Sequence, residues 1–329
     1  MPYPPGATLD LDFSTSLPAG MTFTRNGTAT DSHWTDASGS SYNSYGTNIP
    51  RFHPMGMVFE SQARTNYLLN SAAPATQTTG SLPAAACVLW VIGTGSATVT
   101  AGTGIASGGL GTATAGSPLY FTVTTAGTFV VTVTGSLNRF QLERGGSPTT
   151  FIPTTGTTAT RAAETCNQAI GGWYSSTAGT IVGAASFLTM IGMANQGIIE
   201  LSDGTTGNRI DVSQNGNVQV LVTTAASNKV NDTVAGNIVP VVAGRIYTIA
   251  VRYTAAGNAR GAASGLLMPD RNAIAMPTVS QIDLPLGATA TLGGTWIMNR
   301  GLYYPWAFAD YELQCATAGN AMAGAAMFM

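Results

Sequence analysis

Glu200 and Asp203, with Asp211 beyond the next turn, are the closest approach in this sequence to a carboxylate pair able to cut a glycosidic bond. On a strand such chemistry needs an even spacing, because alternation then sets both groups on one face. A spacing of three puts Glu200 and Asp203 on opposite faces, and Gly204 places Asp203 already in the turn. Asp211 can approach from across that turn, either as a partner in a pair or as a ligand to calcium. Calcium asks for roughly six to eight oxygens, and few carboxylates gather here. The three are read as ordinary turn residues, with no catalytic set and no metal site assigned. His33 and His53 have no Ser or Cys nucleophile signature near them, and the many Gly-x-Gly matches lie between strand-like runs and never open a helix. No cofactor is implied. Cys87, Cys166 and Cys315 are odd in number and far apart, so no disulfide framework or zinc pair is visible, and all three are expected to be buried as small hydrophobes.

Binding is easier to find than catalysis. Trp34, Tyr42 and Tyr45 dot the long polar stretch DSHWTDASGSSYNSYGTNIP, and ring faces of this kind suit the C–H surface of a sugar. They can equally pin the loop down or sit in a subunit interface. Trp173 and Tyr174 stand side by side in GGWYSSTAG, and Tyr303, Tyr304 and Trp306 in GLYYPWAF. Adjacent strand residues face opposite ways, so one ring of each cluster is expected in the core and another outward, against sugar or a neighbouring subunit. Trp34, Tyr42, Tyr45, Trp173 and Tyr174 are the carbohydrate-binding candidates. Tyr303 and Trp306 are candidate oligomer contacts, together with Met322, Met327 and Phe328 of the uncharged tail ATAGNAMAGAAMFM, which is expected to be buried against its own or a neighbouring subunit.

The elements that must position these residues are strands. Leu9, Leu11 and Phe13 alternate with Asp10 and Asp12, and the same period runs through FTVTTAGTFVVTVTGSLNRFQLE. In CVLWVIG, Trp90 falls in a strongly apolar strand and is expected in the core. With 329 residues the chain can hold two domains. Only 9% of it is charged, yet 44% is hydrophobic, which argues for a packed fold rather than disorder. A net charge of −2 leaves no basic footprint for nucleic acid. No run approaches the roughly 18 to 20 apolar residues of a membrane-spanning helix. MPYPPGATLDLD has no basic region followed by an apolar one, so synthesis in a cytoplasm without self-export is expected.

Several short motifs recur in a fixed order: Leu17 to Gly20, Arg51 with Phe52, Ala63 to Asn66, Gln141 to Glu143, Ile152 to Thr154 and Thr160 to Ala163. This order resembles a pattern of bacteriophage virion proteins, chiefly tail-fibre, head-fibre and decoration proteins. The C-terminal run, from GTIVGAASFL through IELSDGTTGNRIDVSQNGNVQVLV and RIYTIAVRYTA to YYPWAFADYELQ, resembles a concanavalin A-like, laminin-G-like sandwich. The expected fold is all-β, two antiparallel β-sandwiches: a small one like a carbohydrate-binding module over residues 67–143, and a concanavalin A/laminin-G-like jelly roll over 162–329. Residues 1–66 are an N-terminal strand and arm that can belong to the larger sandwich, and 144–161 form a linker. DYELQ is expected to be a short helical turn, capped by Asp310 with Leu313 packed inward. The resemblance implies a non-enzymatic structural protein on the exterior of a virion, contacting other virion proteins in capsid, portal or tail. By analogy with fibres it implies a homo-oligomer, a trimer, although no coiled-coil heptads are present. Lectin-like contact with host or environmental polysaccharide, a purely structural decoration role, and glycan cleavage are the three functions left open.

Overall fold

The computed structural model of the chain describes residues 3–33, 41–187, 196–214, 217–233, 244–284 and 294–318. Its fold is all-β and antiparallel, with a single helix among the described residues. The larger sandwich has an eight-stranded sheet and a seven-stranded one. In the first, Ala178–Phe187 pairs with Ile246–Thr254 on one side and with Trp296–Tyr304 on the other. The seven-stranded sheet runs Thr22–Arg25, Glu164–Ala169, Gln281–Leu284, Gln196–Ser202, Arg209–Gln214, Val218–Thr224 and Ser227–Thr233. Between the sheets lie Phe13, Phe59, Ile199, Leu201, Val212, Ile249 and Trp296, all fully buried. Gly183 and Gly301 lie where the sheets come closest: a Cβ on either would sit 2.6 or 2.5 Å from the Ile199 side chain.

The N-terminal segment is built into this body. Leu9–Asp12 pairs with Trp296–Tyr304, Thr22–Arg25 with Glu164–Ala169, and Gly56–Phe59 again with Trp296–Tyr304. The chain thus contributes strands to both sheets, leaves to build the small sandwich, and returns at Glu164. The small sandwich has a four-stranded and a six-stranded sheet enclosing Leu89, Val91, Val99, Phe121, Phe129, Phe140 and Leu142.

Residues 144–161 do more than connect. Phe151 and Ile152 are buried, as are Thr149, Thr150 and Thr154. The outer face of the six-stranded sheet carries Trp90 and Ile92, and these close over Phe151. Trp90 is therefore buried as expected, but at the junction of the two bodies and outside the core of the small sandwich. Its indole Nε1 donates to Glu143 Oε1 at 3.2 Å.

Asp310–Ala318 is a nine-residue helix that covers the outer face of the eight-stranded sheet, with Leu313 fully buried beside Val182, Leu302 and Tyr304. Asp310 does not cap it. Its carboxylate pairs with Arg252 at 2.8 Å and Arg260 at 2.7 Å, and the cap is made by Glu312, whose Oε2 accepts the Ala309 amide at 2.7 Å. Cys87 and Cys166 are buried, whereas Cys315 on this helix is exposed: its position faces water, away from Leu313.

Candidate functional site

Two constellations of polar side chains stand out, and they have different characters. The first lies at the junction, where every carboxylate oxygen of Glu60, Glu143 and Glu164 has a donor although Arg51 Nε is buried without an acceptor. Glu60 accepts hydrogen bonds from Arg51 Nη2 (2.8 Å), the Thr150 amide (2.8 Å) and the Thr150 and Thr295 hydroxyls (2.7 and 2.5 Å), with Arg161 Nε at 3.1 Å. Glu164 takes Arg25 (2.8 Å), Arg51 (2.6 Å) and the Glu60 amide (2.8 Å). Glu143 takes the amide and hydroxyl of Thr149 (2.8 and 2.6 Å) and Gln141 (3.0 Å). The side chains of Arg25, Arg51, Glu60, Arg161 and Glu164 are at most 1% exposed. Burial alone would raise the Glu60 carboxyl, but Arg161 and Arg51 outweigh it and hold the group well below the usual carboxylate range. Nearly every motif picked out in order from the sequence ends here: Arg51, Arg64, Asn66, Gln141, Glu143, Ile152, Thr154 and Arg161. These residues hold the protein together, and none of them lines either cavity described below.

The second constellation is unsatisfied. On the seven-stranded sheet, alternation sends Ile199, Leu201, Ile210, Val212 and Ile282 into the core and Glu200, Ser202, Arg209, Asp211 and Asp283 to the opposite face. The register sets Glu200 directly across from Asp211 on one side and Asp283 on the other. Three carboxylates therefore stand in a row over adjacent strands, with Cβ atoms of opposed residues about 4.5 to 5.5 Å apart. Arg209 Nη1 lies 3.5 Å from Glu200 and 3.9 Å from Asp211. Asp283 Oδ2 accepts from Ser202 and Gln281, each at 2.6 Å. Gln196 Oε1, Arg209 Nε, Asp211 Oδ1 and Asp283 Oδ1 are buried and have no hydrogen-bond partner.

Glu200, Gln281 and Asp283 border one cavity and Arg209 another; the two share Thr206, and Gln196 and Asp211 line neither. One, of about 230 Å³, is lined by Thr165, Asn167, Glu200, Thr205, Gln281 and Asp283. The other, of about 260 Å³, is lined by Arg209, Leu221, Thr223, Asn228 and Asn231. Both touch the Asp203–Asn208 turn and are together called the groove below. Burial, aided by the Asp283 and Asp211 charges, raises Glu200 well above the usual carboxylate range. Burial likewise pushes Asp211 up to about 7, against the pull of Arg209. Among the described residues no group of three or more His, Cys, Asp and Glu is arranged to hold a metal ion.

Of the residues singled out in the sequence, Glu200 and Asp211 meet in this row. Asp203 does not: it is exposed in the turn, its oxygens taken by Thr205 and Asn208. Asp283, Arg209 and Gln281 were missed, because the Gln281–Leu284 strand reaches its neighbours only through long-range pairing. An apolar/polar alternation in QIDL was the one available signal. None of the described aromatic candidates lines the groove. Tyr42 packs edge-on against Phe151, with the Arg139 guanidinium 4.8 Å from its ring, so it pins its loop. Tyr45 is half-buried in a short strand pair with Ala29–Thr30. Trp173 and Tyr174 are half-buried and pack against each other and against Tyr303. Tyr303 is fully buried, its hydroxyl 2.9 Å from that of Tyr253, so it is closed to any partner subunit. Trp306 is half-buried on Tyr304 and Phe308. Trp34, Met322, Met327 and Phe328 lie outside the described residues.

No protein-family profile matches the chain, and no curated protein matches it in sequence. Among solved structures, similar ones include the CBM40 of the Ruminococcus gnavus IT-sialidase bound to alpha2,3 sialyllactose, at 18% identity and a TM-score of 0.34 over 44% of this chain and 84% of that one. The leech intramolecular trans-sialidase is 17% identical, with a TM-score of 0.32 over 44% of this chain and 24% of that one. The binding domain of botulinum neurotoxin DC in complex with rat synaptotagmin II is 9% identical, with a TM-score of 0.34 over 47% and 39%. What this chain binds has to be argued from its own residues.

Proposed function

We propose that the protein is a carbohydrate-binding protein of a bacteriophage virion exterior, an oligomeric adhesin whose larger sandwich holds a glycan in the groove over the seven-stranded sheet. The observation that carries the binding function is that two cavities, of about 230 and 260 Å³, are each walled by a buried polar side chain with an atom lacking a partner, Asp283 Oδ1 in the first and Arg209 Nε in the second. An unmade hydrogen bond in a buried site costs about 1 to 3 kcal/mol, and a polyhydroxylated ligand supplies the missing donors and acceptors. The virion setting rests on the ordered motifs from Leu17 to Ala163.

A glycan array run with the intact protein tests the reading. Specific binding is expected, and Asn228→Ala together with Gln281→Ala should weaken it, since both side chains line the groove. Trp173→Ala should leave it unchanged. Loss of binding in Trp173→Ala alone would move the site to the aromatic cluster. A second reading, a structural decoration protein without ligand, is favoured by one observation: the motif residues are engaged in the junction and none of them lines either cavity of the groove. A folded oligomer that binds nothing on the array would select it.

A further inference from the structure

Taking the groove as the glycan site proposed above, we infer that its second cavity receives the carboxylate of an acidic sugar on the free edge of the Arg209 guanidinium, while the first takes neutral hydroxyls. Arg209 is 6% exposed, buried enough to need partners, and it has few. Among the described residues only its Nη1 is engaged, 3.5 Å from Glu200 Oε2 and 3.9 Å from Asp211 Oδ2, both long for a charge-assisted hydrogen bond. Nε is buried and makes no hydrogen bond, and Nη2 makes none either. Those two N–H groups form the side-on edge of the guanidinium, the edge that takes both oxygens of a carboxylate in parallel.

The surroundings of this edge suit an anion. Among the described residues Arg209 is the one charged side chain lining the second cavity, and no carboxylate lines it. Asn228 and Asn231 add amide donors from Ser227–Thr233; Asn228 Oδ1 already accepts from the Thr223 hydroxyl at 2.9 Å, which leaves its Nδ2 for a ligand. Lys229 is exposed between them on the same strand. The acids that face Arg209 are Glu200 and Asp211, and burial holds both toward their neutral forms, so they offset little of its charge. Asp203 is tied to Thr205 and Asn208, and Asp232 to Arg271. Leu221 offers an apolar wall to ring C–H groups. At about 260 Å³, against roughly 30 Å³ for one water molecule in the liquid, the cavity has room for a carboxylate and the ring bearing it. The first cavity has Asp283 on its wall with one unpartnered oxygen, which repels a second carboxylate and accepts from a hydroxyl.

The test is a calorimetric titration of the intact protein with hyaluronan tetrasaccharide, trigalacturonic acid and sialyllactose, each beside its carboxyl methyl ester, which keeps the sugar and removes the charge. At least one acid is expected to bind about tenfold more tightly than its ester, the yield of a charge-assisted hydrogen bond over a neutral one, and added salt should narrow the difference. Arg209→Lys keeps a cation beside Glu200 and Asp211 but lacks the two-pronged edge, so it should weaken binding of the acid about tenfold and leave the ester unchanged. The wild-type comparison stands even where that variant fails to fold. No acid preferred over its ester, or an acid bound equally well by Arg209→Lys, overturns the inference. Array binding that weakens in Asn228→Ala with Gln281→Ala would in that case keep the groove as a glycan site. Nothing bound in the titrations or on the array removes the groove and the inference with it.

Discussion

At the scale of single residues the protein treats its buried acids in opposite ways. Glu60 is held ionised by Arg161 and Arg51, whereas Glu200 and Asp211 are held toward the neutral form by burial and by the Asp283 charge. The signs of their pH dependence are opposite as well. A carboxyl depressed in the folded state contributes stability above its unfolded pKa of about 4.3 and loses it as pH falls below that value. A carboxyl raised in the folded state binds its proton more tightly when folded, so stability grows as pH falls through the raised value. Denaturant unfolding should therefore show stability increasing from about pH 7.5 toward pH 5 and collapsing below about pH 4. Asp211→Asn should flatten the first limb and leave the second; an unchanged first limb would show that these acids are not crowded. Glu60→Ala should cost about 3 to 5 kcal/mol, because it leaves the buried Arg161 without its carboxylate and Arg51 with Glu164 alone to balance its charge. Urea melts of the wild type and variant measure that difference directly.

At the scale of elements, close backbone approaches explain which small residues the strands require. Gly56 opens the strand Gly56–Phe59 with φ +139°, and a Cβ there would lie 2.1 Å from the Met298 carbonyl oxygen. It is the glycine that follows the Arg51–Phe52 motif, so that part of the pattern serves sheet pairing. Gly56→Ala should destabilise by about 2 kcal/mol or more, read as a lower midpoint in the same melts with an unchanged slope. The strands themselves were legible because their alternation is strong: Leu11 and Phe13 are fully buried, and Asp12 between them is exposed. The helix was legible as a turn with Leu313 inward. Its cap was not, since Asp310 is drawn off by Arg252 and Arg260 from distant strands. Segment 144–161 misled for a related reason. Its Ser, Thr and Pro composition suggests a solvated linker, but Thr149 and Thr150 are the donors that Glu143 and Glu60 need when buried.

At the scale of the whole molecule, the return of the chain from the small sandwich to the large one sets what can be removed. Residues 162–329 alone would lack Leu9–Asp12, Thr22–Arg25 and Gly56–Phe59, and with them Leu11, Phe13, Phe23, Met57 and Phe59 from the core. Both sheets would then expose bare edges and apolar surface. A fragment starting at Arg161 is expected to aggregate or to elute as an expanded chain, with no cooperative thermal transition by circular dichroism. A monodisperse fragment melting like the intact protein would contradict the shared core.

By itself the sequence determined the all-β class, the two sandwich-forming regions and the order of the motifs, because strand alternation and turn residues are local properties of the chain. Tertiary structure decided what those residues do. It gathered Arg51, Glu60, Arg161 and Glu164 into one buried network, took Tyr303 out of reach of any partner, and set Asp283 beside Glu200 across 83 positions of chain. Cross-strand register between distant segments follows from the packing of two whole sheets, and no local pattern encodes it.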